Sequence, residues 1–276
     1  MDRIRLIASD MDATLLDEQS QLPADFEETI HALAELGIRF APASGRPLYT
    51  LEELFPTLRD ELVFIGDNGG AIRWKGQNLF TSEMSPEGWR ALNRLTREQG
   101  DIAVLCGLES AYVERPFAVH DAVLRHFYTK IEYVDRLEDV TAPADKFTIY
   151  LPQHNAQQAY DTVYASQRSI YSVAVAGECW VDIMNPGVHK GAALQTLGQL
   201  WGLPSESMMA FGDTYNDAEM LRTAKYGFLM ENGSEPLRQK VPFLAPSHRE
   251  AGVMQVLHRV LAQNGCVCPE DFIPAH

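Results

Sequence analysis

The sequence predicts an α/β fold in which a parallel sheet is interrupted by an inserted α+β unit. Short apolar runs at 6–8, 38–43, 62–65 and 208–211 each stop at a polar or acidic cluster, as buried parallel strands do at their carboxyl ends. Amphipathic stretches of helical period separate the first runs, the pattern of strand, crossover helix, strand. From residue 85 to about residue 185 that alternation gives way to strands grouped in pairs or triples, the pattern of an α+β unit with an antiparallel sheet.

In chain order, Leu6, Ile7 and Ala8 read as a central strand that ends at Asp10 and Asp12. Side chains two apart in a strand share a side, so both carboxylates are expected to face one pocket. Two carboxylates so close repel unless a cation, a shared proton or strong donors hold them, and a divalent metal is the simplest solution. Pro23 suits the first turn of a helix whose stripe is Phe26, Ile30 and Leu33. The strand at 38–43 runs into Ser44, Gly45 and Arg46, a helix is predicted over 48–58, and the strand at 62–65 leads into Asp67 and Asn68. A hairpin over 71–80 turns at Lys75 and Gly76.

Ser85, Pro86 and Glu87 supply the cap, first-turn proline and early acid of a helix start. Strands are then predicted over 102–108, 112–115, 147–151, 171–176 and 180–184, with helices over 118–128 and 156–167. Lys190 opens a helix to residue 201, the strand at 208–211 ends in Gly212, Asp213, Thr214, Tyr215, Asn216 and Asp217, and further elements follow at 218–223, 226–230, 234–240 and 253–261.

The formal net charge of −15 repels polyanions, which argues against nucleic acid and anionic membrane as partners. No apolar run is long enough to span a bilayer and the amino-terminal residues do not read as a signal peptide, so a cytoplasmic location is expected. The four cysteines, Cys106, Cys179, Cys266 and Cys268, are scattered without a disulfide framework and read as reduced thiols.

A parallel sheet can bring Asp10, Asp12, Ser44, Lys190, Asp213, Asn216 and Asp217 to one edge, where ligands of such sheets bind. Asp10, Asp213 and Asp217 supply hard oxygens for Mg2+, Lys190 a point charge, and Ser44 with nearby backbone amides the donors for phosphate oxygens. A lysine at a helix start is disfavoured by about 0.3–1 kcal/mol, so its placement there points to use rather than chance. Together these groups are the inventory of a phosphoryl-transfer site.

The order and spacing of these clusters resemble the four motifs of the haloacid dehalogenase superfamily of phosphatases, and within it the Cof-like subfamily. They are Asp10-Met11-Asp12-Ala13-Thr14, Ser44 in Ala-Ser-Gly-Arg-Pro, Lys190 in His-Lys-Gly, and Gly212-Asp213 with Asn216-Asp217. The resemblance implies a Rossmann-like parallel-sheet core over 1–82 and 187–276 and an inserted α+β cap over 83–186, which closes over the pocket and reads the leaving group. It makes Asp10 the nucleophile that forms an aspartyl-phosphate and Asp12 the general acid and base. Met11, Ser44, Gly45, Arg46, Lys190 and Asn216 are the expected substrate- and phosphate-binding residues. Asp10, Asp12 and Asp213 are the expected Mg2+ set, Asp12 through its carbonyl, with Asp217 supporting the ion through water or a hydrogen bond. Asn68 and Arg46 are expected to line the pocket. Ala13 departs from the glycine usual in the subfamily and is expected to narrow the pocket or alter the rate.

The activity implied is Mg2+-dependent hydrolysis of small phosphate monoesters, sugar phosphates or related metabolites, by a monomer or homodimer. The alternatives are a phosphomutase, disfavoured because residues 14–44 leave room for only one helix, and a non-catalytic phosphometabolite sensor, disfavoured because no catalytic group is missing. A dehalogenase has no need of Asp12.

Overall fold

The computed structural model describes all 276 residues, which cluster into two compact units. The first comprises Met1–Gly45, Phe55–Leu79 and His189–His276, and the second Arg46–Leu54 and Phe80–Val188.

The first unit is built on a nine-stranded sheet in which Leu6–Asp10 lies between Met208–Gly212 and Arg39–Ala43, parallel to both. Leu6, Ile7, Ala8 and Ser9 have no exposed surface, as a strand covered on both faces requires. Tyr226–Met230 and Phe243–Ala245 extend the parallel set on one side and Val63–Gly66 on the other. Ala71–Trp74 pairs antiparallel with Val63–Gly66, with Gln77–Thr81 at the edge beyond it, and Ile273–Pro274 pairs antiparallel with Phe243–Ala245 at the other edge. Because the central strands are parallel, their carboxyl ends share one edge.

Several elements are shorter than the sequence suggests. The first helix is Phe26–Glu35, with Pro23 in the turn before it. The helix expected over 48–58 stops at Glu53, since Pro56 lacks an amide and disfavours helical backbone at Phe55. That helix, Leu48–Glu53, belongs to the second unit rather than the first: Thr129 N donates to Thr50 Oγ1 at 3.1 Å, and Lys130 Nζ lies 5.7 Å from the centre of the Tyr49 ring. The strand Phe243–Ala245 has too few residues for a readable pattern and was not expected.

The second unit carries a six-stranded sheet in the order Ser172–Val175, Trp180–Met184, Ala144–Tyr150, Ile102–Gly107, Ala111–Glu114, Ile131–Val134. All its pairs are antiparallel except the last. The segment between those two strands, a 3-10 turn at Arg115–His120 and the helix Asp121–Phe127, is long enough to cross back and makes the final pair parallel. Helix Pro86–Gln99 begins with Ser85 Oγ accepting from Gly88 N at 3.1 Å, ends at Gly100, and buries Trp89 and Leu92 in a cluster with Phe147 and Ile149. No helix of the chain is long and apolar enough to cross a membrane, and all four cysteines are free thiols.

Candidate active site

The site is assembled on the carboxyl edge of the first unit's sheet. Asp10 is the last residue of the central strand and is buried. Beyond it the backbone opens into a wide turn closed by Leu16 N donating to Met11 O at 2.9 Å. The pleat therefore stops at Asp10. Asp12 is not in the buried carboxylate group, as strict alternation would have it, but stands exposed in the turn.

Lys190, the first residue of helix Lys190–Trp201, is 0 % exposed. Its neighbour His189 caps that helix, Nδ1 accepting from Ala192 N at 3.0 Å, so His189 serves the fold. Lys190 Nζ donates to Asp10 Oδ1 and, at 2.7 Å, to Asp217 Oδ1. Asp217 is likewise 0 % exposed, and its other oxygen accepts from Asp213 N at 3.0 Å and Thr214 N at 3.2 Å. Gly212 makes this possible: a Cβ there would lie 2.4 Å from the Asp217 Cβ, so only glycine admits the carboxylate beneath the loop. Asp213 follows the strand Met208–Gly212 and is buried.

Ser44 is buried one residue past Ala43, the lateral partner of Asp10. Its amide donates to Ile65 O and its carbonyl accepts from Asn68 N, both at 2.9 Å. Asn68 in turn lies between two loops, with Oδ1 accepting from Asn216 Nδ2 at 3.5 Å and its side chain beside the open face of Gly45. Asp67 and Asn68 both take positive φ, 50° and 54°, a concentration of strained backbone of the kind found at functional sites. Arg46, the next residue after Gly45, is counted with the second unit.

The electrostatics are those of an acid-rich buried cluster. Burial, then Asp217 and Asp213, push the Asp10 carboxyl up to about 8 against the pull of Lys190. Burial and then Asp217 push Asp213 up to about 6. Burial works against the Lys190 ammonium, but Asp10 and Asp217 outweigh it and hold its pKa above the ordinary value. Asp10, Asp213 and Asp217 offer oxygens within 4.8 Å of one another. One ammonium does not balance three carboxylates, and hard oxygens of this kind suit a small divalent cation. Both Asp217 oxygens are already engaged, which leaves Asp10 and Asp213 as the better placed ligands.

The family of haloacid dehalogenase-like hydrolases matches residues 7–257, spanning the central strand, the lysine helix and the acidic loop. This chain belongs to that family. Among similar members of the haloacid dehalogenase-like hydrolases is the 5-amino-6-(5-phospho-D-ribitylamino)uracil phosphatase YbjI of Escherichia coli, 32% identical over 94% of this chain and 96% of the relative. An HMP-PP phosphatase of Cronobacter sakazakii is 31% identical over 87% and 89%. The crystal structure of SMU.1108c from Streptococcus mutans superposes with a TM-score of 0.83 at 30% identity, covering 94% of this chain and 99% of that one. A haloacid dehalogenase-like hydrolase from Bacteroides thetaiotaomicron, at 24% identity, shares the fold with a TM-score of 0.82 over 94% of this chain and 100% of that one.

Asp217, expected to support the ion through water or a hydrogen bond, spends its oxygens on Lys190 and two loop amides. One feature of this haloacid dehalogenase-like site escaped the sequence. Asn232, just past the strand Tyr226–Met230, donates Nδ2 to Ala13 O at 2.8 Å. The signal for Asn232 is its position: it follows another strand of the parallel set, so it emerges at the same edge.

Proposed function

We propose that this phosphoric monoester hydrolase is a Mg2+-dependent phosphatase of small phosphorylated metabolites that works through an aspartyl-phosphate on Asp10. The observation that carries the reading is the buried grouping of Asp10, Lys190, Asp213 and Asp217, in which the ammonium fixes one Asp10 oxygen from a fully buried position. A phosphate with its excess negative charge needs cations and donors on all sides, and Lys190 with Ser44 and Asn216 supplies the protein's share.

In the first half-reaction a carboxylate oxygen of Asp10 attacks phosphorus, the ester P–O bond breaks, and Asp12 gives its proton to the departing oxygen. In the second, Asp12 takes a proton from water as that water attacks the phosphoryl group, releasing inorganic phosphate and restoring the Asp10 carboxylate. The exposure of Asp12 suits a group that must meet both a leaving group and solvent. Mg2+, held by Asp10 and Asp213 with the Asp12 carbonyl, would neutralise the phosphoryl charge. The Asp217 carboxylate orders the loop carrying Asp213 and keeps Lys190 charged.

The second unit, as the cap, is where leaving-group selection would reside. Relatives named for a phosphoribityl-aminouracil and for HMP-PP support metabolite esters as the substrate class. The test is a panel of sugar and nucleotide-precursor phosphates assayed for phosphate release with Mg2+ and with chelator. Turnover of none of them would favour a binding role instead.

A further inference from the structure

Ala13 has φ 58° and ψ 13°. In that left-handed region a Cβ crowds the following carbonyl, which is why glycine is the usual occupant. The turn is held from outside. Asn232 Nδ2 donates to Ala13 O at 2.8 Å, and Asn232 Oδ1 accepts from His248 N at 3.0 Å. A carbonyl only accepts and an amide N–H only donates, so these partners fix which way the Asn232 amide faces. Both ends of its amide are engaged although the residue is exposed. The His248–Glu250 turn packs against Met11–Leu15, and Arg249 Nη2 meets Glu18 Oε1 at 2.7 Å, a second tie to the segment just after the strained turn.

We propose that Asn232 is a positioning residue: its bond to the Ala13 carbonyl keeps the turn left-handed and so sets the direction from which Asp12 reaches the leaving oxygen. The inference rests on the roles proposed above for Asp10 and Asp12. The alanine methyl makes this chain depend on the bond more than a glycine turn would, because the bond offsets a steric cost that a glycine would not carry.

The test uses Asn232→Ala and Asn232→Asp, each alone and combined with Ala13→Gly. Asn232→Asp keeps the acceptor for His248 N and replaces the donor with a charged acceptor, while Asn232→Ala removes both without adding charge. Two quantities are read: amide hydrogen exchange over residues 11–16, and kcat/KM with Mg2+ on an aryl phosphate, whose leaving oxygen needs little proton help, and on an alkyl phosphate, whose oxygen needs it. Both variants are expected to speed exchange in the turn by about tenfold, the effect of losing one hydrogen bond. They are also expected to lower kcat/KM on the alkyl ester by about tenfold more than on the aryl ester, with a smaller gap in the Ala13→Gly background. Unchanged exchange, or equal losses on the two esters, would overturn the proposal, since a merely structural defect lowers both alike. A wild-type protein inert on both esters, with exchange still faster in the variants, would refute the phosphatase reading while upholding the bond's hold on the turn.

Discussion

Lys190 and Asp217 form an ion pair, Nζ to Oδ1 at 2.7 Å, in which neither side chain has any exposed surface. Lys190 simultaneously holds Asp10, and Asp217 simultaneously holds the amides of Asp213 and Thr214. One pair thus links the ends of two strands and the start of a helix, elements far apart in the chain.

Removing the ammonium is therefore expected to be costly. Lys190→Met leaves two buried carboxylates without their cation and should destabilise the protein by about 3–5 kcal/mol in denaturant unfolding. The exposed pair Arg222–Glu219 is the control, and Arg222→Ala should cost under about 1 kcal/mol. Similar losses for the two would refute the importance of burial.

Asp10→Asn should abolish phosphate release, and Asp12→Asn should slow it by at least about a hundredfold. Rapid-quench detection of acid-stable phosphoprotein distinguishes the roles: Asp10→Asn traps no label. Full turnover by Asp10→Asn would remove the nucleophile assignment.

Stability should depend on pH and Mg2+ together. Asp10 at about 8 and Asp213 at about 6 both lie above the ordinary 3.8, so their contribution is complete below about pH 4 and is lost as pH rises through about 6 and then about 8. Mg2+ favours the ionised carboxylates and at a hundredfold excess over Kd adds about 2.7 kcal/mol. The rise in thermal midpoint on replacing chelator with Mg2+ should be larger at about pH 9 than at about pH 5. An equal or reversed difference would count against metal binding by these two groups.

Ala13→Gly should leave stability unchanged or raise it by up to about 1.5 kcal/mol. The left-handed alanine costs about 1–2 kcal/mol, against about 0.5–1 kcal/mol for the extra freedom glycine has when unfolded. A loss in the thermal midpoint greater than a degree or so, measured with Asn232 intact, would show that the methyl makes a compensating contact.

The parallel sheet and its edge were legible because buried strands advertise themselves as apolar runs and the residues that end them are chemically unlike the rest of the run. Asp10, Ser44 and Asp213 all stand at such junctions, and Lys190 stands at the start of a helix. What did not show was written in weak local signals. Ile131–Val134 is too short to read and its parallel pairing follows from the length of the preceding crossover. The assignment of Leu48–Glu53 to the second unit comes from Thr50 meeting residue 129, a contact no local pattern records.

The sequence by itself determined which carboxylates belong together, because a charged residue at the end of an apolar run has one edge of one sheet to go to, and it marked Lys190 by placing a cation at a helix start, where it is disfavoured. Only the tertiary structure decided how they divide the work. Whether Asp217 binds a cation or a lysine depends on which oxygens meet which donors, and whether Ala13 can stay left-handed depends on an asparagine more than two hundred residues away. Those outcomes turn on which donors meet which acceptors once the chain has folded, and nothing in the local order of residues encodes them.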